Sequence, residues 1–464
     1  MTAVRPVVVV GAGLAGLAAA HRLTELDVPV QVLEASTRVG GIIATERADG
    51  FVMEWGADSF LTEKPWGLAL CHRLGLEDQL IGTRETRRRT YVVHDRRLHP
   101  LPEGFMLMAP TALGSLLGSS LFSWSGKLRM ACDLVLPRRS SSGTDESLAG
   151  FVTRRLGREA LERAVQPLVG GIYTADPERL SLAATMPRFL EMERRDRSLI
   201  LALRRQALAA ARQGSGARWT LFASFRTGMQ TLVDALVARL PAGAIRTGAR
   251  VVGLTPAGES GWCVVLEDGE MVPAASVIVA TPSFHAAALL RPLDPGLAGE
   301  LDAIRHASSA IVTLAYARDE IPHPLDGFGF VVPAVERSPL IAGSFSSIKF
   351  AGRAPEGMVL LRAFCGGALA AHVLECTDDE LVETVRAELD VLLGVRARPH
   401  LVRVRRFERA MPQYDVGHLD RVTRIESATA RHAGLALAGN AYRGVGIPDC
   451  VHSGEQAAEY VAQA

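Results

Sequence analysis

At 464 residues, with 48% apolar and 22% charged side chains, the chain is long enough for two or three domains with substantial cores. Lysine and arginine (51) almost balance aspartate and glutamate (50), and a net charge of +1 provides no field to recruit nucleic acid. Six scattered cysteines without a CxxC and 12 histidines without paired-ligand spacing argue against a disulfide framework, predict no metal, and read as belonging to a cytoplasmic protein.

The first strand is read at Val7 to Val10, so close to the start that no signal or transit peptide is expected. It runs into Gly11-Ala12-Gly13-Leu14-Ala15-Gly16 and a helix to Thr24, with Ala15, Ala18, Ala19 and Leu23 at helical spacing. A strand, glycine turn and helix of this kind bring backbone N–H groups to a pyrophosphate, where the helix dipole favours negative charge. Gly11 permits the turn, Gly13 keeps a Cβ away from the phosphate, and Gly16 lets the helix pack closely. The next apolar run, Gln31-Val-Leu-Glu34, ends in a carboxylate suited to an adenosine ribose. These residues point to a dinucleotide and do not separate NAD from FAD.

The continuation does separate them. Glu34-Ala35-Ser-Thr-Arg38-Val-Gly40-Gly41 resembles the ExxxRxGG extension of the flavin amine oxidase and desaturase superfamily. The resemblance implies non-covalent FAD, with Arg38, Gly40 and Gly41 near its diphosphate. It also implies that the strand and turn Phe51-Val-Met-Glu-Trp-Gly56-Ala57-Asp58-Ser59 return to the cofactor.

From about Leu98 to Gln213 the pattern becomes helical. Asp145 is expected to cap a helix carrying Leu148, Phe151, Val152 and Leu156, and a second helical stretch is read over Glu191 to Arg212. Arg139 to Thr144 reads as a mobile connection. Between Glu103 and Lys127 there is no charged side chain, yet Pro110, Gly114 and Gly118 interrupt the apolar run. It reads as a buried helical pair or a channel wall, with a peripheral membrane contact as the alternative.

After Gly214 strands return at Gly248 to Val252, Trp262 to Glu267 and Ser276 to Ala280, with a turn at Asp268-Gly269. This meander is expected to complete the cofactor sheet. Strands within Leu301 to Arg424, such as Ile311 to Tyr316 and Met358 to Arg362, suggest a second sheet for substrate. Near the end, Leu435 to Asn440 and then Gly444-Val-Gly446-Ile447-Pro448-Asp449-Cys450 supply another strand, glycine loop and helix. The expected fold is α/β and discontinuous: a Rossmann-like FAD domain from residues 1–60, 215–300 and 430–464, a mixed-sheet substrate domain from 61–97 and 301–429, and a helical insertion over 98–214.

Further segments resemble one family, the oxygen-dependent protoporphyrinogen and coproporphyrinogen III oxidases. They are Leu98-His-Pro-Leu-Pro102, Leu168-Val-Gly170-Gly171-Ile-Tyr173, Arg197-Ser-Leu-Ile200, Gly327-Phe-Gly329, Met411-Pro-Gln-Tyr414 with Gly417-His-Leu419, and Gly439-Asn-Ala-Tyr442. The resemblance implies six-electron oxidation of a porphyrinogen, with O2 as acceptor and hydrogen peroxide as product. Phe350 and Val331 would sandwich the tetrapyrrole, and Gly170 and Gly171 would face its pyrrole N–H groups. Val251, Phe407, Gly439, Gly446, Ile447, Pro448 and Asp449 join the implied FAD contacts.

Substrate carboxylates require cations, and Arg87-Arg88-Arg89 is the nearest cluster in the sequence. Thr90 stands where protoporphyrinogen oxidases have an arginine, and Phe407 where many relatives have tryptophan. The missing arginine, together with Leu98-His-Pro-Leu-Pro-Glu-Gly104, resembles the bacterial coproporphyrinogen III form, with protoporphyrinogen IX as the alternative substrate. An amine oxidase, a carotenoid desaturase and a non-catalytic porphyrin-binding flavoprotein are the more distant readings. No side-chain acid or base stands out. Hand-over of product to a ferrochelatase and the choice between monomer and homodimer stay open.

Overall fold

Val7–Val10 forms the centre of a five-stranded parallel sheet in the computed structural model, which describes residues 5–84, 89–111, 113–139, 145–213, 220–258 and 261–463. The order is Ile245–Arg246, Val30–Leu33, Val7–Val10, Ser276–Val279, Leu435–Leu437, so segments from both ends and the middle of the chain share one sheet. All four valines are buried, Val7 and Val9 in one core and Val8 and Val10 in another, as expected for a parallel sheet covered on both faces. On one face lie helices Leu14–Glu25 and Ile447–Ala462. They cross so closely at Gly454 that a Cβ there would sit 2.1 Å from the Ala15 carbonyl oxygen. The meander Val251–Pro256, Trp262–Leu266, Met271–Ala274 covers the other face as a separate sheet. Only the strand after it, Ser276–Val279, completes the parallel sheet, which corrects the expectation for the whole meander.

The second sheet has seven strands in the order Leu401–Pro412, His306–Ala317, Met358–Gly366, Leu340–Phe345, Gly327–Val331, Arg89–His94, Arg97–Pro100. All neighbours are antiparallel except Gly327–Val331 with Arg89–His94. One face buries Val312, Leu361, Phe345 and Tyr91 in a core shared with helix Asp378–Leu393. The register puts Val92, Val331, Ala342, Phe364, Ile311 and Arg405 side by side across the opposite face. That inner face turns towards the nucleotide end: Arg362 donates to the Gly56 carbonyl, and the Arg405 guanidinium lies 4.2 Å from the Trp55 ring centroid.

Helices dominate residues 113–213 and bury Phe151, Val152, Leu182, Phe189 and Leu203 together. Ser147, not Asp145, caps helix Leu148–Leu156, its Oγ accepting from the Gly150 N–H at 3.1 Å. Asp145 instead accepts from Ser181 Oγ at 2.6 Å and Gly417 N–H at 3.0 Å, joining the insertion to the C-terminal third. The stretch read as one helix over Glu191 to Arg212 is two, Pro187–Asp196 and Leu199–Gln213, broken at left-handed Arg197. The break serves a buried ion pair. Arg155, fully buried, donates to Asp133 Oδ1 from Nε at 2.7 Å and to the Arg197 carbonyl at 2.7 Å, while Ser198 Oγ donates to Asp133 Oδ2 at 2.6 Å.

The uncharged 104–126 stretch opens with a hairpin, Phe105–Met106 and Ala109–Pro110, and continues into short helices. Leu116, Leu121 and Phe122 are buried, whereas Leu117 and Trp124 are exposed. Among the described residues no helix is long and apolar enough to cross a membrane. Arg87, Arg88 and the Ser140–Thr144 part of the expected connection lie outside the described residues.

Candidate functional site

The turn after the first strand has a separate reason for each glycine. Gly11 has φ +102°, and a Cβ on Gly16 would lie 1.9 Å from the Gly11 carbonyl oxygen. Gly13 is the N-cap of helix Leu14–Glu25, no side chain caps it, and a Cβ built there meets nothing within 4 Å. Backbone donors therefore face open space at a helix N-terminus, a fit for a pyrophosphate. Ala12 N–H donates to Glu34 Oε2 at 2.7 Å and Ser36 N–H to Oε1 at 2.8 Å. These bonds fix Glu34 at the end of the second strand and leave each oxygen further acceptor capacity for a ribose. Ala35 is exposed beside it; Ala249 N–H reaches the Glu34 carbonyl at 2.8 Å, bringing the start of Val251–Pro256 alongside.

Arg38 is folded onto its own loop. It donates to the carbonyls of Val39 at 3.1 Å, Ile43 at 3.3 Å and Gly41, with its guanidinium 4.9 Å from the Trp55 ring centroid. The Trp55 indole thus lies between two arginines, Arg38 and Arg405. Gly40 and Gly41 have positive φ, and a Cβ on Gly41 would approach Gly13 Cα to 3.3 Å. The paired glycines thus close over the first turn.

The Gly56–Ser59 loop holds a carboxylate between two cations. Asp58 accepts from Lys349 Nζ at 3.0 and 3.2 Å and from Ser59 Oγ at 2.7 Å, and Arg362 lies 3.7 Å away. Burial alone would raise this carboxyl, but the two cations overcome it and hold Asp58 well below the usual carboxylate range. A Cβ on Gly56 would strike the Ile42 carbonyl at 2.5 Å, while Ala57 packs on the nucleotide core.

At the C-terminal end, Gly439 has φ +132° and open space around a built Cβ, and Gly446 caps helix Ile447–Ala462. Asp449 is occupied within the loop: it accepts from Lys64 Nζ at 2.6 Å and from Gly446 N–H at 3.2 Å. Ile447 and Pro448 are buried behind it. Sequence reasoning missed the clamp on this loop. Tyr414, stacked on His418 at 3.9 Å, donates to the Asn440 carbonyl at 2.6 Å and accepts from Gly444 N–H at 2.8 Å. His418 Nε2 lies 2.8 Å from the Tyr442 carbonyl, and burial pushes this imidazole down to about 4. The conspicuous PQY and GH segments were the available signal. Burial pushes the Cys450 thiol up to about 12, so it is not primed for covalent chemistry.

Of the expected substrate residues, Val331 and Gly171 come together: a Cβ on Gly171 would meet Val331 Cγ1 at 3.8 Å. Gly170, one residue earlier, lines a separate cavity of about 460 Å³. Phe350 is buried, with Lys349 Nζ 5.0 Å and the Arg353 guanidinium 5.6 Å from its ring centroid. Phe407 pairs with Ser309 at a bulge and lines a second cavity, of about 430 Å³, with Gln413. Arg89 is already neutralised by Asp326 at 2.6 Å, and Tyr91 also hydrogen-bonds that carboxylate.

The family model for flavin containing amine oxidoreductases matches residues 14–462. The chain is 35% identical to the coproporphyrinogen III oxidase of Bacillus subtilis (strain 168), covering 97% of this chain and 96% of that one. It is 32% identical to the chloroplastic protoporphyrinogen oxidase of Nicotiana tabacum, over 98% of this chain and 85% of the relative. A crystal structure of a putative protoporphyrinogen oxidase from Exiguobacterium sp. 255-15 superposes with a TM-score of 0.88 at 29% identity, covering 100% and 99% of the two chains. The fold is thus that of the amine oxidase and porphyrinogen oxidase group, and the similarity makes the protein a flavin-dependent oxidoreductase.

Proposed function

Since the chain belongs to the flavin containing amine oxidoreductase family, we propose that it binds FAD non-covalently and oxidises coproporphyrinogen III to coproporphyrin III, with O2 as acceptor. The observation that carries this reading is the near full-length similarity to coproporphyrinogen III oxidases, at 35% identity in the Bacillus subtilis case. Bound FAD would supply the hydride acceptor and the route by which three O2 become three hydrogen peroxide molecules as six electrons leave the macrocycle.

The residues divide the remaining work. Backbone N–H groups after Gly13 receive the pyrophosphate, Glu34 the ribose, and the Gly439–Gly446 loop the far end of the cofactor. The inner face of the seven-stranded sheet, with Val331, Ala342, Phe364 and Ile311 in one row, offers an apolar wall for a flat macrocycle. Gly171 opposite Val331 lets the helix backbone approach it. Phe350 is the second proposed contact, tied to the cofactor loop through its neighbour Lys349 and Asp58. Such a slot acts by holding a carbon near the hydride acceptor and excluding water, so orientation rather than an acid or base supplies the catalysis.

The test is anaerobic reduction of the purified holoprotein with coproporphyrinogen III or protoporphyrinogen IX, followed by aerobic turnover with peroxide and porphyrin fluorescence recorded. Flavin bleaching and faster turnover with coproporphyrinogen III are expected. Preference for protoporphyrinogen IX would move the reading to the alternative substrate, and no bleaching with either would overturn it.

A further inference from the structure

A four-carboxylate substrate needs cations, and Arg89, the described member of the Arg87–Arg89 run, is paired with Asp326. The cavity lined by Phe407 and the one lined by Gly170 differ in charge. In the one lined by Phe407, both guanidinium groups are already neutralised, Arg305 by Asp415 at 2.8 Å and Arg406 by Asp378 at 2.7 Å. Glu375 and Glu408 also line it, so it has no net attraction for an anion. The cavity lined by Gly170 has no carboxylate among its lining residues and one guanidinium, Arg337. No described side chain pairs with Arg337.

The turn that presents Arg337 is built to hold it. Residues Ala334–Glu336 form a single 3-10 turn ending at Arg337 in the left-handed region, φ +53°. Gln166 Oε1 accepts from Ala334 N–H at 2.9 Å and thereby ties the turn to helix Gln166–Tyr173, which carries Gly170 and Gly171. On the other side Ser338 Oγ donates to Glu388 Oε2 at 2.8 Å. The adjacent carboxylate, Glu336, is turned away: it accepts from the backbone N–H groups of Asp95 at 3.1 Å and Arg96 at 3.3 Å. Arg337 is exposed, lines a cavity of about 460 Å³ and has no carboxylate partner among the described residues. Thr174, on the same side of the cavity as Gly170, is a further lining residue.

Resting on the porphyrinogen reading above, we propose that Arg337 is the receptor for a substrate carboxylate, gripping one propionate in the Gly170 cavity while the macrocycle lies against Val331 and Gly171. Val332 and Gly170 line the cavity, and their chain neighbours Val331 and Gly171 face each other beside it. A planar guanidinium matches a carboxylate in two parallel hydrogen bonds, and lysine does not reproduce that geometry. Arg337 therefore contributes to counting carboxylates on the substrate rather than to the oxidation itself.

The experiment compares wild-type holoenzyme with Arg337→Gln and Arg337→Lys. It measures kcat and KM with coproporphyrinogen III, and binding of coproporphyrin III and of its tetramethyl ester, which has no free carboxylate. The expected result for Arg337→Gln is a rise of about tenfold in KM and in the dissociation constant for coproporphyrin III. The value of kcat and the affinity for the ester should stay within twofold, with Arg337→Lys intermediate. Equal KM for wild type and Arg337→Gln, with the wild type active, would overturn this inference and leave the porphyrinogen reading standing. Parallel loss of acid and ester binding would also overturn it, by making the residue structural. A wild type that oxidises no porphyrinogen would remove the reading and this inference together.

Discussion

The nucleotide turn at residues 11–16 and the interior of the helical insertion are both tightly packed, but by opposite means. In the turn, fit comes from missing atoms: glycine at 11 and 16 because carbonyl oxygens occupy the space a Cβ would take, and at 13 because the space is left open. In the insertion, fit comes from a fully formed side-chain network, with Arg155 and Asp133 at 0% exposure and a helix break at Arg197 that supplies both a carbonyl and the Ser198 hydroxyl. A site shaped by absent atoms tolerates loss of its ligand. A buried ion pair does not tolerate loss of one partner, because the other is left charged without water.

The largest effect should follow from breaking that network. Asp133→Ala removes the hydrogen-bonded carboxylate of the Arg155 guanidinium, leaving it Glu193 at 3.6 Å, and takes away the acceptor of Ser198 and of the Ile200 N–H, and should cost about 3 kcal/mol in urea unfolding. Replacing both charges, Asp133→Leu with Arg155→Met, should recover most of it. A double variant as unstable as the single one would show that packing, not the uncompensated charge, is decisive.

A smaller effect concerns the loop clamp, where burial again sets the energetics. His418 is neutral in the fold and titrates near 4 there, but near the ordinary 6.5 once unfolded. The unfolded chain therefore takes up more protons below pH 6.5. Stability present at pH 7 should fall by up to about 3 kcal/mol as the pH drops from 6.5 to 4, with no further loss from this group below that. His418→Gln should flatten this part of the unfolding curve; an unchanged slope would assign it to other groups.

Glycine substitutions in the turn separate fold from cofactor. Gly16→Ala forces a Cβ against the Gly11 carbonyl and should cost roughly 1–3 kcal/mol of stability as well as flavin. Gly13→Ala meets no protein atom, so the apoprotein should unfold as the wild type does while flavin retention during gel filtration is lost. Equal flavin content in Gly13→Ala and wild type would contradict a pyrophosphate at that turn.

The same contrast explains what the amino-acid sequence made legible. The Gly11–Gly16 turn, Glu34 and the Gly439–Gly446 loop are each written within a few residues, because a backbone turn is a local object. Asp145 was readable as a helix cap only because Ser181 and Gly417, its actual donors, lie 36 and 272 residues away. The join between Asp58 and Lys349 spans 291 residues, and no spacing rule reaches that far. Arg337 had no signature either, since the role proposed for it rests on the absence of a carboxylate from the lining of its cavity, which is a property of the folded surroundings.

Arg89 supplies the finest test of the contrast, because sequence proximity and structural environment disagree about it. Its position beside Thr90 makes it the natural candidate for a propionate, but the fold gives it Asp326 at 2.6 Å on a half-exposed strand end. An exposed pair of this kind is screened and contributes little. Arg89→Ala should therefore leave the thermal midpoint within error and the KM for coproporphyrinogen III within twofold. An increase in KM as large as that of Arg337→Gln would mean that substrate displaces Asp326 and competes for the guanidinium. Asp326→Asn, which frees Arg89 without removing it, would then lower KM. Opposite shifts in the two variants would make the Arg89–Asp326 pair a competitor for the substrate carboxylate, whereas no shift in either leaves carboxylate recognition to the unpaired cation at the Gly170 cavity.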